Sequence, residues 1–315
     1  MTGAVTEGHV FWIEGNLKKG WTKLCGVPLD IGALLSGLWE KNSAACIFTS
    51  ATLAVSRSFD YFRRKTGLTG PIGEKTRCES FESPFSPTQA LRGAMRNAPA
   101  CDAPEFPDYV ATVISALMSE FRKNVLVLFT AHAMLGAVHA RCKNLLTLNG
   151  AVLLAQGITG NRQAVLDEFK NSDCAVLLGA DSFWEGIDVP GKACEIVVIP
   201  RLPFQVPTHP LTQALSRKME NAAGESFFSY AVPEAIIKFR QGTGRLIRSK
   251  EDRGALIVLD NRIMTKNYGK RFRDSLEGDV QPFSTIDDLL PALKIFFAQG
   301  QGPSPITYVP FEEPS

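Results

Sequence analysis

A glutamine and two arginines lie close together near residue 245. The segment 241–248 reads Gln-Gly-Thr-Gly-Arg-Leu-Ile-Arg, which places Arg245 and Arg248 three residues apart and Gln241 just before them. Residues three apart on a helix lie on the same face. Two guanidinium groups that point the same way can clamp a polyphosphate and stabilise the charge that develops in phosphoryl transfer. The spacing predicts a phosphate-facing arginine pair, and the alternative is an exposed basic start of a helix.

The segment 179–191 combines small, acidic and aromatic residues and reads Gly-Ala-Asp-Ser-Phe-Trp-Glu-Gly-Ile-Asp-Val-Pro-Gly. It follows the apolar run 175–178, which predicts a strand. Ligands bind at the carboxyl ends of strands in open parallel sheets, and glycines let a backbone approach a ligand closely. Asp188 can accept hydrogen bonds from a ribose or an arginine. The segment predicts a ligand-binding loop, and the alternative is a surface turn with a half-buried tryptophan.

Two weaker signals place hydroxyl side chains after predicted strands. Ser50 and Thr52 follow the apolar stretch 45–49. Small hydroxyl residues at this position can couple a nucleotide site to a bound nucleic-acid strand. A Ser-Ala-Thr sequence at this position is more often the N-cap of a helix. Thr130 ends the apolar run 126–129, which by itself indicates only a buried strand.

The elements that must position these residues alternate from about residue 108 onwards. Apolar residues at helical spacing predict helices, and short continuous apolar runs predict buried parallel strands. The first predicted helix begins at Asp108. The other predicted helices span 131–142, 161–170, 209–221, 231–240 and 287–297. The predicted strands are 125–129, 151–155, 175–178, 195–199 and 255–259. This order indicates an α/β fold with a doubly wound parallel sheet.

The first hundred residues follow a different pattern. Strands are predicted at 9–13 and 45–49 and a helix at 31–40, whereas 67–107 is rich in proline and glycine and is interpreted as a linker or crossing loop. The tail 299–315, with its prolines and glycines, is predicted to be irregular.

Composition excludes few functions. Hydrophobic residues make up 45% and charged residues 21% of the 315 residues, which is ordinary for a globular protein, and the net charge is only +2. A nucleic-acid surface would therefore have to be local. No leader and no apolar run long enough for a bilayer is seen, which predicts a cytoplasmic protein without membrane contact.

The metal-binding residue types are scattered. The seven cysteines include no Cys-x-x-Cys pair, which predicts buried free thiols, among them Cys46, Cys174 and Cys194, and no metal or iron–sulfur site. The four histidines are expected to form no close pair with Glu or Asp and are interpreted as non-catalytic.

The pattern Gln-x-x-Gly-Arg-x-x-Arg at 241–248 is the sixth signature motif of superfamily 2 helicases. Together with the loop at 179–191, and in the right order, it makes the chain resemble the DinG/XPD branch of superfamily 2 DNA helicases over roughly residues 10–298. Further landmarks of the resemblance are the segments 10–14, 28–31, 48–53, 83–85, 199–204 and 259–262.

The resemblance implies a RecA-like lobe, because two such lobes sandwich ATP in that family. Gln241, Arg245 and Arg248 would face the nucleotide phosphates, and Glu185, Gly186 and Asp188 would lie near the nucleotide between the lobes. The residues expected to contact single-stranded DNA, or to couple it to hydrolysis, are Ser50, Thr52, Thr130, Asp181, Ser182, Phe183 and Trp184. Phe183 or Trp184 could stack on bases, and the alternative for both is core packing.

The phosphate-cradling loop and the magnesium-binding Asp-Glu pair of the family are missing. Gly73-Glu74-Lys75-Thr76 resembles a fragment of the loop, but a glutamate there would repel phosphate. The chain is therefore interpreted as a carboxyl-terminal half, with residues 1–55 a remnant of lobe 1, 56–298 the carboxyl-terminal RecA-like lobe, and 299–315 a tail. ATP and magnesium would be shared with a missing lobe 1, and no iron–sulfur cluster belongs to this chain.

Three functional hypotheses are open at this point. The first is an arginine-finger half of an ATP-dependent DNA helicase, whose partners are single-stranded DNA and lobe 1. The second is a helicase-derived nucleic-acid-binding module without ATPase activity. The third is a self-sufficient kinase or ATPase that uses residues 73–76. The strands at 9–13 and 45–49 are expected to have unpaired edges, or to pair with another chain or with the second lobe.

Overall fold

The computed structural model describes residues 4–6, 8–16, 20–41, 45–147, 150–185, 194–205, 209–223 and 227–299. These residues form a three-stranded antiparallel sheet near the amino terminus and a seven-stranded parallel sheet. The strands are β1 (Ala4–Thr6), β2 (His9–Asn16), β3 (Trp21–Pro28), β4 (Ala90–Met95), β5 (Val125–Phe129), β6 (Val152–Ala155), β7 (Ala175–Ala180), β8 (Ile196–Ile199), β9 (Gly254–Val258) and β10 (Gln281–Phe283).

Helices lie between most of the strands. They are α1 (Ile31–Lys41), α2 (Asp60–Thr66), α3 (Gly70–Lys75), α4 (Phe106–Glu120), α5 (His132–Thr147), α6 (Arg162–Lys170), α7 (Pro210–Ala223), α8 (Val232–Thr243), α9 (Arg262–Thr265), α10 (Gly269–Arg273) and α11 (Ile286–Ala298). Within the described ranges, none of them combines the length and the apolar character that a bilayer-spanning segment needs.

The parallel sheet has the strand order β10-β4-β9-β8-β5-β7-β6 and is covered on both faces. Every residue of β5, β7, β8 and β9 is buried, as their continuous apolar sequences require. Helices α4, α5 and α11 contribute to the core on one face, and α6, α8, α9 and α10 contribute to the core on the other. The predicted doubly wound α/β fold is confirmed.

The interpretation of residues 67–107 as a linker or crossing loop is wrong at its centre. Strand β4 lies inside the sheet, parallel to β9 on one side and to β10 on the other. Arg92 interrupts its apolar pattern, but the guanidinium folds back and donates to the carbonyl oxygens of Pro87 and Ala90 at 2.9 Å. Gly93 leaves room for Phe283 and Leu289, which lie within 3.2 Å of where a Cβ would be.

The expectation that the strand at 9–13 has an unpaired edge, or pairs with another chain or with the second lobe, is also wrong. Strand β2 is paired on both sides, with β1 and with β3, and its inward residues Val10 and Trp12 pack against Ala214 of α7. Residues 45–50 form no strand, and Ile47 is 87% exposed. Apolar composition alone does not make a strand, because the backbone also needs a partner for its hydrogen bonds.

Five cysteines are buried, including Cys174 and Cys194, but the predicted burial of Cys46 is wrong because that residue is exposed, as is Cys78. Cys46 lies in the same unpaired segment that was expected to be a strand. The predicted tail lies outside the described residues from residue 300 onwards.

Candidate functional site

The two arginines of the motif lie beyond the end of a helix and not on it. Helix α8 ends at Thr243, and Gly244 N donates to Arg240 O at 2.9 Å to close it. Arg245 lies in the following turn, so the expectation that Arg245 and Arg248 share a helix face is wrong. The glycine is the physical reason, because it is a poor helix former and a frequent helix terminator.

A second turn fixes Arg248. One carboxylate oxygen of Asp252 accepts hydrogen bonds from the backbone N–H groups of Arg248 and Ser249 at 2.8 and 2.9 Å. The Gln89 side-chain amide holds this turn from the other side and donates to three carbonyl oxygens, those of Ser249, Lys250 and Asp252, at 2.8 to 3.1 Å. Gln89 is therefore a positioning residue, and no motif in the sequence marks it.

The two arginines have different surroundings. Arg245 is half-buried, and its Nη2 donates to the backbone oxygen of Trp184 at 2.9 Å. Arg248 is half-buried and lines a cleft. Both guanidiniums lie near the thiol of Cys194, where they act to lower a pKa that burial raises to about 12.

The cleft has a volume of about 1010 Å³ and joins two of the predicted segments. Ser50 and Thr52 line one part of it, and Thr243, Gly244 and Arg248 line another. The structure therefore brings the Ser-Ala-Thr segment and the second arginine of the motif to one site, although about 200 residues separate them in sequence.

Ser50 and Thr52 form a hydroxyl-stabilised turn. The Thr52 N–H donates to Ser50 Oγ at 3.2 Å, and the two hydroxyl oxygens lie 3.1 Å apart. The alternative reading as a helix N-cap does not hold, because the next helix begins at Asp60. The turn exposes both hydroxyl groups at the wall of the cleft.

Charged side chains of both signs line the cleft. The basic ones are Arg57, Arg92, Arg240 and Arg248, and the acidic ones are Glu79, Glu82, Asp274 and Glu277. Arg240 Nη1 donates to the carbonyl oxygen of Ala54 at 2.9 Å, which ties the segment after Thr52 to helix α8. Burial lowers the pKa of both Arg240 and Arg92, and the charge of Glu277 opposes that shift. A guanidinium stays protonated under such conditions, so the wall carries charge that is only partly solvated.

Polar side chains follow the carboxyl ends of β5, β6 and β7, which are neighbours in the sheet. Thr130 and His132 follow β5, Asp181 and Ser182 follow β7, and Gln156 follows β6. His132 Nε2 lies 3.5 Å from a carboxylate oxygen of Asp181, so the expectation that no histidine pairs with Asp or Glu is wrong. Gln156 Nε2 donates to Ser182 Oγ at 3.2 Å. The structure thus gathers Thr130, Asp181 and Ser182 at one sheet edge.

The backbone at this edge is strained at Asp181, whose φ of 39° is unusual for a residue with a side chain. A strained non-glycine residue is one of the features that cluster at ligand sites. Gln156 Oε1 accepts a hydrogen bond from the Ala180 N–H at 2.9 Å, which fixes the backbone just before the strained residue Asp181.

Phe183 and Trp184 do not face the solvent at this edge. Both side chains are 0% exposed and belong to the core beneath helix α8. Trp184 Nε1 donates to Phe129 O at 2.7 Å, and the indole lies against Gly242. In this structure neither ring is available for base stacking, and core packing, the alternative reading, describes both.

The expected nucleotide contacts in the loop are only partly described. Glu185 is exposed at its start, whereas Gly186 and Asp188 lie outside the described residues. Gln241 is half-buried, and within the described ranges its side-chain oxygen has no hydrogen-bond partner. A buried amide oxygen of this kind calls for a donor.

The segment Gly73–Thr76 is no phosphate-binding loop. Residues 70–75 form the short helix α3, and a Cβ at Gly73 would lie 2.9 Å from Leu68 O, so the backbone is already enclosed by protein. In the part of the chain that the structure describes, no three His, Cys, Asp or Glu side chains gather where they could hold a metal ion.

A protein-family model described as "Helicase C-terminal domain" matches residues 114–279, more than half of the chain. The chain belongs to this family. Within it, the chain is of the DinG/XPD type of superfamily 2. The match spans the sheet from β5 to β9 and includes both the loop at 179–191 and the arginine motif.

The relatives of this helicase domain are longer proteins. The 3'-5' exonuclease DinG of Bacillus subtilis is 38% identical over 277 residues, which is 86% of this chain and 29% of that protein. The ATP-dependent DNA helicase YoaA of Haemophilus influenzae is 33% identical over 272 residues, 85% of this chain and 40% of that protein. The chain spans well under half the length of both.

Solved structures agree on the fold. An XPD helicase structure matches 88% of this chain and 48% of its own length, with a TM-score of 0.60 and 15% sequence identity. A second structure, of apo XPD, gives a TM-score of 0.57. At these identities the likeness shows the RecA-like fold of the helicase lobe alone.

Proposed function

We propose that this chain is the carboxyl-terminal lobe of an ATP-dependent DNA helicase, acting with a lobe 1 that carries the phosphate cradle. The cleft that unites Ser50 and Thr52 with Arg248 is the observation that carries the proposal. A site for ATP hydrolysis needs positive charge where charge develops on the phosphates. Arg248 would supply such charge from the wall of the cleft, and ATP with magnesium would be held jointly with lobe 1.

The polar sheet edge is the proposed path for single-stranded DNA. Thr130, Asp181 and Ser182 lie where parallel sheets bind ligands. Hydroxyl groups there can donate to phosphate oxygens, while Ser50 and Thr52 would couple the strand to the cleft. Arg240 would carry this coupling. Its hydrogen bond to Ala54 O joins the segment that follows Ser50 and Thr52 to helix α8, which leads to the two arginines.

The proposed lobe boundaries are unchanged from the sequence: 1–55 as a remnant of lobe 1, 56–298 as the second lobe and 299–315 as a tail. The parallel sheet supports the second of these ranges, because its strands run from Ala90 to Phe283. Proposed nucleotide contacts are Gln241, Arg245, Glu185, Gly186 and Asp188.

A nucleic-acid-binding module without ATPase activity is the second candidate. One observation favours it, namely that Gly73–Thr76 lies in and just after a short helix and cannot cradle phosphate. The two candidates differ in what ATP does. The module would bind single-stranded DNA in a salt-dependent way, with or without lobe 1, and ATP would change nothing.

The deciding measurement is ATP hydrolysis with magnesium, with and without single-stranded DNA, by this chain alone and together with a lobe-1 polypeptide of a DinG-type relative. We expect background hydrolysis by the chain alone and DNA-stimulated turnover by the pair. Turnover by the chain alone would overturn the two-lobe account. An inactive pair that still binds DNA would favour the module.

Replacing Lys75 with alanine is expected to leave hydrolysis by the pair unchanged. The residue is exposed at the end of helix α3 and does not line the cleft. Turnover measured at several ATP concentrations checks this. A Lys75→Ala variant with abolished turnover would instead support a self-sufficient ATPase that uses residues 73–76.

A further inference from the structure

Two neighbouring phenylalanines, Phe227 and Phe228, stand out on the surface near the start of α8. Their exposed fractions are 41% and 42%, and they begin a π-helical turn at Phe227–Ala231. π-Helical turns are rare and frequently occur at functional sites. Adjacent exposed aromatic rings are informative in a way that a single exposed apolar residue is not.

The two rings are held in place from below. The Phe204 ring stacks on Phe227, with ring centroids 5.6 Å apart and an interplanar angle of 19°, and Tyr268 meets Phe227 edge-on at 5.3 Å. Phe204 in turn packs against the buried Phe272. Phe227 is therefore anchored to the core, while Phe228, whose centroid lies 5.3 Å from that of Phe227, forms the outer end of the cluster.

Positive charge borders the rings. The Arg271 guanidinium carbon lies 5.3 Å from the Phe228 ring centroid, and Arg271 Nη1 donates to Phe228 O at 3.2 Å. Lys270 is exposed beside it, and Arg262 lies 5.7 Å from the Phe204 ring, fixed there by Asp260. An exposed aromatic surface bordered by cations suits a ligand that combines planar rings with negative charge.

The cluster lies at the same edge of the sheet as the polar side chains described above. Phe204 follows the carboxyl end of β8, and Arg262 and Tyr268 follow that of β9. Strand β8 lies between β9 and β5 in the parallel sheet, and β5 leads into Thr130. A single strand that runs along Thr130, Asp181 and Ser182 can thus continue toward the aromatic cluster.

We propose that Phe227 and Phe228, together with Arg271, form a base-stacking platform for single-stranded DNA. The proposal rests on the proposed function, because it extends the same strand path across the lobe. Bases stack on aromatic rings whatever their sequence, since every base has a π face, and a nearby arginine contributes both a cation–π contact and phosphate contacts. Phe227 would carry the platform, and Phe228 would meet the base.

The test is fluorescence anisotropy with the full chain and labelled oligothymidine of about 12 nucleotides, within the usual site sizes of single-strand binders. A strand of equal length with abasic sites is the second probe. Phe228→Leu removes the aromatic face and keeps apolar bulk, and Phe228→Trp keeps the face. Phe11→Leu is the matched control, since Phe11 is 42% exposed on the separate antiparallel sheet.

We expect Phe228→Leu to weaken binding of oligothymidine about fivefold or more, as a stacked base worth roughly 1–3 kcal/mol implies. Phe228→Trp should bind like the unaltered chain, and abasic DNA should bind equally to all variants. Equal loss on both probes, or no loss on either, overturns the platform. A thermal melt of each variant shows whether a loss reflects misfolding, in which case the Phe228→Trp result decides.

A further variant separates this proposal from the proposed function. Thr130→Ala combined with Ser182→Ala alters the strand path without touching the aromatic cluster. If this variant binds oligothymidine more weakly while Phe228→Leu binds it as well as the unaltered chain, the platform is overturned and the proposed strand path stands. An unaltered chain that binds no oligothymidine overturns both.

Discussion

Replacing Arg248 with alanine is expected to lower DNA-stimulated ATP hydrolysis by the reconstituted two-lobe enzyme roughly 10³- to 10⁵-fold, the contribution of arginine fingers in related chemistry. Arg248 lines the cleft with Ser50 and Thr52, and the Asp252 turn fixes its backbone. The effect should appear in kcat, because a finger of this kind acts on charge that develops only in the transition state.

Two further substitutions sharpen this test. Arg248→Lys keeps the charge but loses the planar fork, so it should recover only part of the activity. Arg122→Ala is the matched control, because Arg122 is exposed outside the cleft. The proposed arginine-finger role is wrong if the Arg248→Ala and Arg245→Ala variants both retain full turnover of ATP. Arg245→Ala alone is harder to interpret, since it also removes the hydrogen bond to Trp184 O.

The central strands were predictable because the residues of each strand carry the whole pattern by themselves. The runs at 125–129 and 196–199 are apolar throughout, a composition typical of short strands buried on both faces. Strand β4 escaped notice for the opposite reason. Arg92 and Gly93 break its pattern. The Arg92 guanidinium folds back onto nearby carbonyl oxygens, and Gly93 makes room for Phe283, which is distant in sequence.

The segment Ala45–Thr49 shows that a local sequence pattern can also predict a strand that does not form. Its residues favour a strand, yet no described strand of this chain pairs with it, and the segment stays open. Strand propensity measures how well a residue fits a half-buried pleated surface. It cannot report whether the neighbouring strand is present.

The site was predictable in its residues and not in its geometry. The motif at 241–248 and the turn at 50–52 could be named from the sequence, but nothing local indicated that Arg248, and not Arg245, lines the cleft with Ser50. Gln89, Arg92 and Arg240 carry no motif. They act through backbone carbonyl oxygens, and sequence alone does not show which carbonyl groups a side chain will reach.

Replacing Gly242 with alanine is expected to destabilise the fold by about 1–3 kcal/mol, the usual cost of an extra methyl group in a packed core. A Cβ at this position would lie 2.8 Å from two carbons of the Trp184 indole and 2.9 Å from Leu128 Cδ1. Helix propensity alone predicts the opposite sign, since alanine is favoured over glycine by about 1 kcal/mol inside a helix. The sign of the change in unfolding free energy therefore reports whether Trp184 packs as described.

Gly136 offers the matched control, because it also lies inside a helix and a Cβ there would meet nothing within 4 Å. Gly136→Ala should stabilise the chain by about 0.5–1 kcal/mol. Urea denaturation of both variants provides the comparison, and a Gly242→Ala variant as stable as Gly136→Ala would contradict the packing.

A double-mutant cycle then assigns the clash to the indole. Trp184→Phe removes the outer ring and the hydrogen bond to Phe129 O, and costs stability by itself. In that background Gly242→Ala should be much less harmful, because the six-membered ring against which the methyl group clashes is gone. A coupling energy of about 0.5–3 kcal/mol is the range for residues in contact, and additivity would place the strain at Leu128 instead. Because the Trp184 backbone oxygen accepts the hydrogen bond from Arg245, the same packing that the cycle measures also positions the first arginine of the motif.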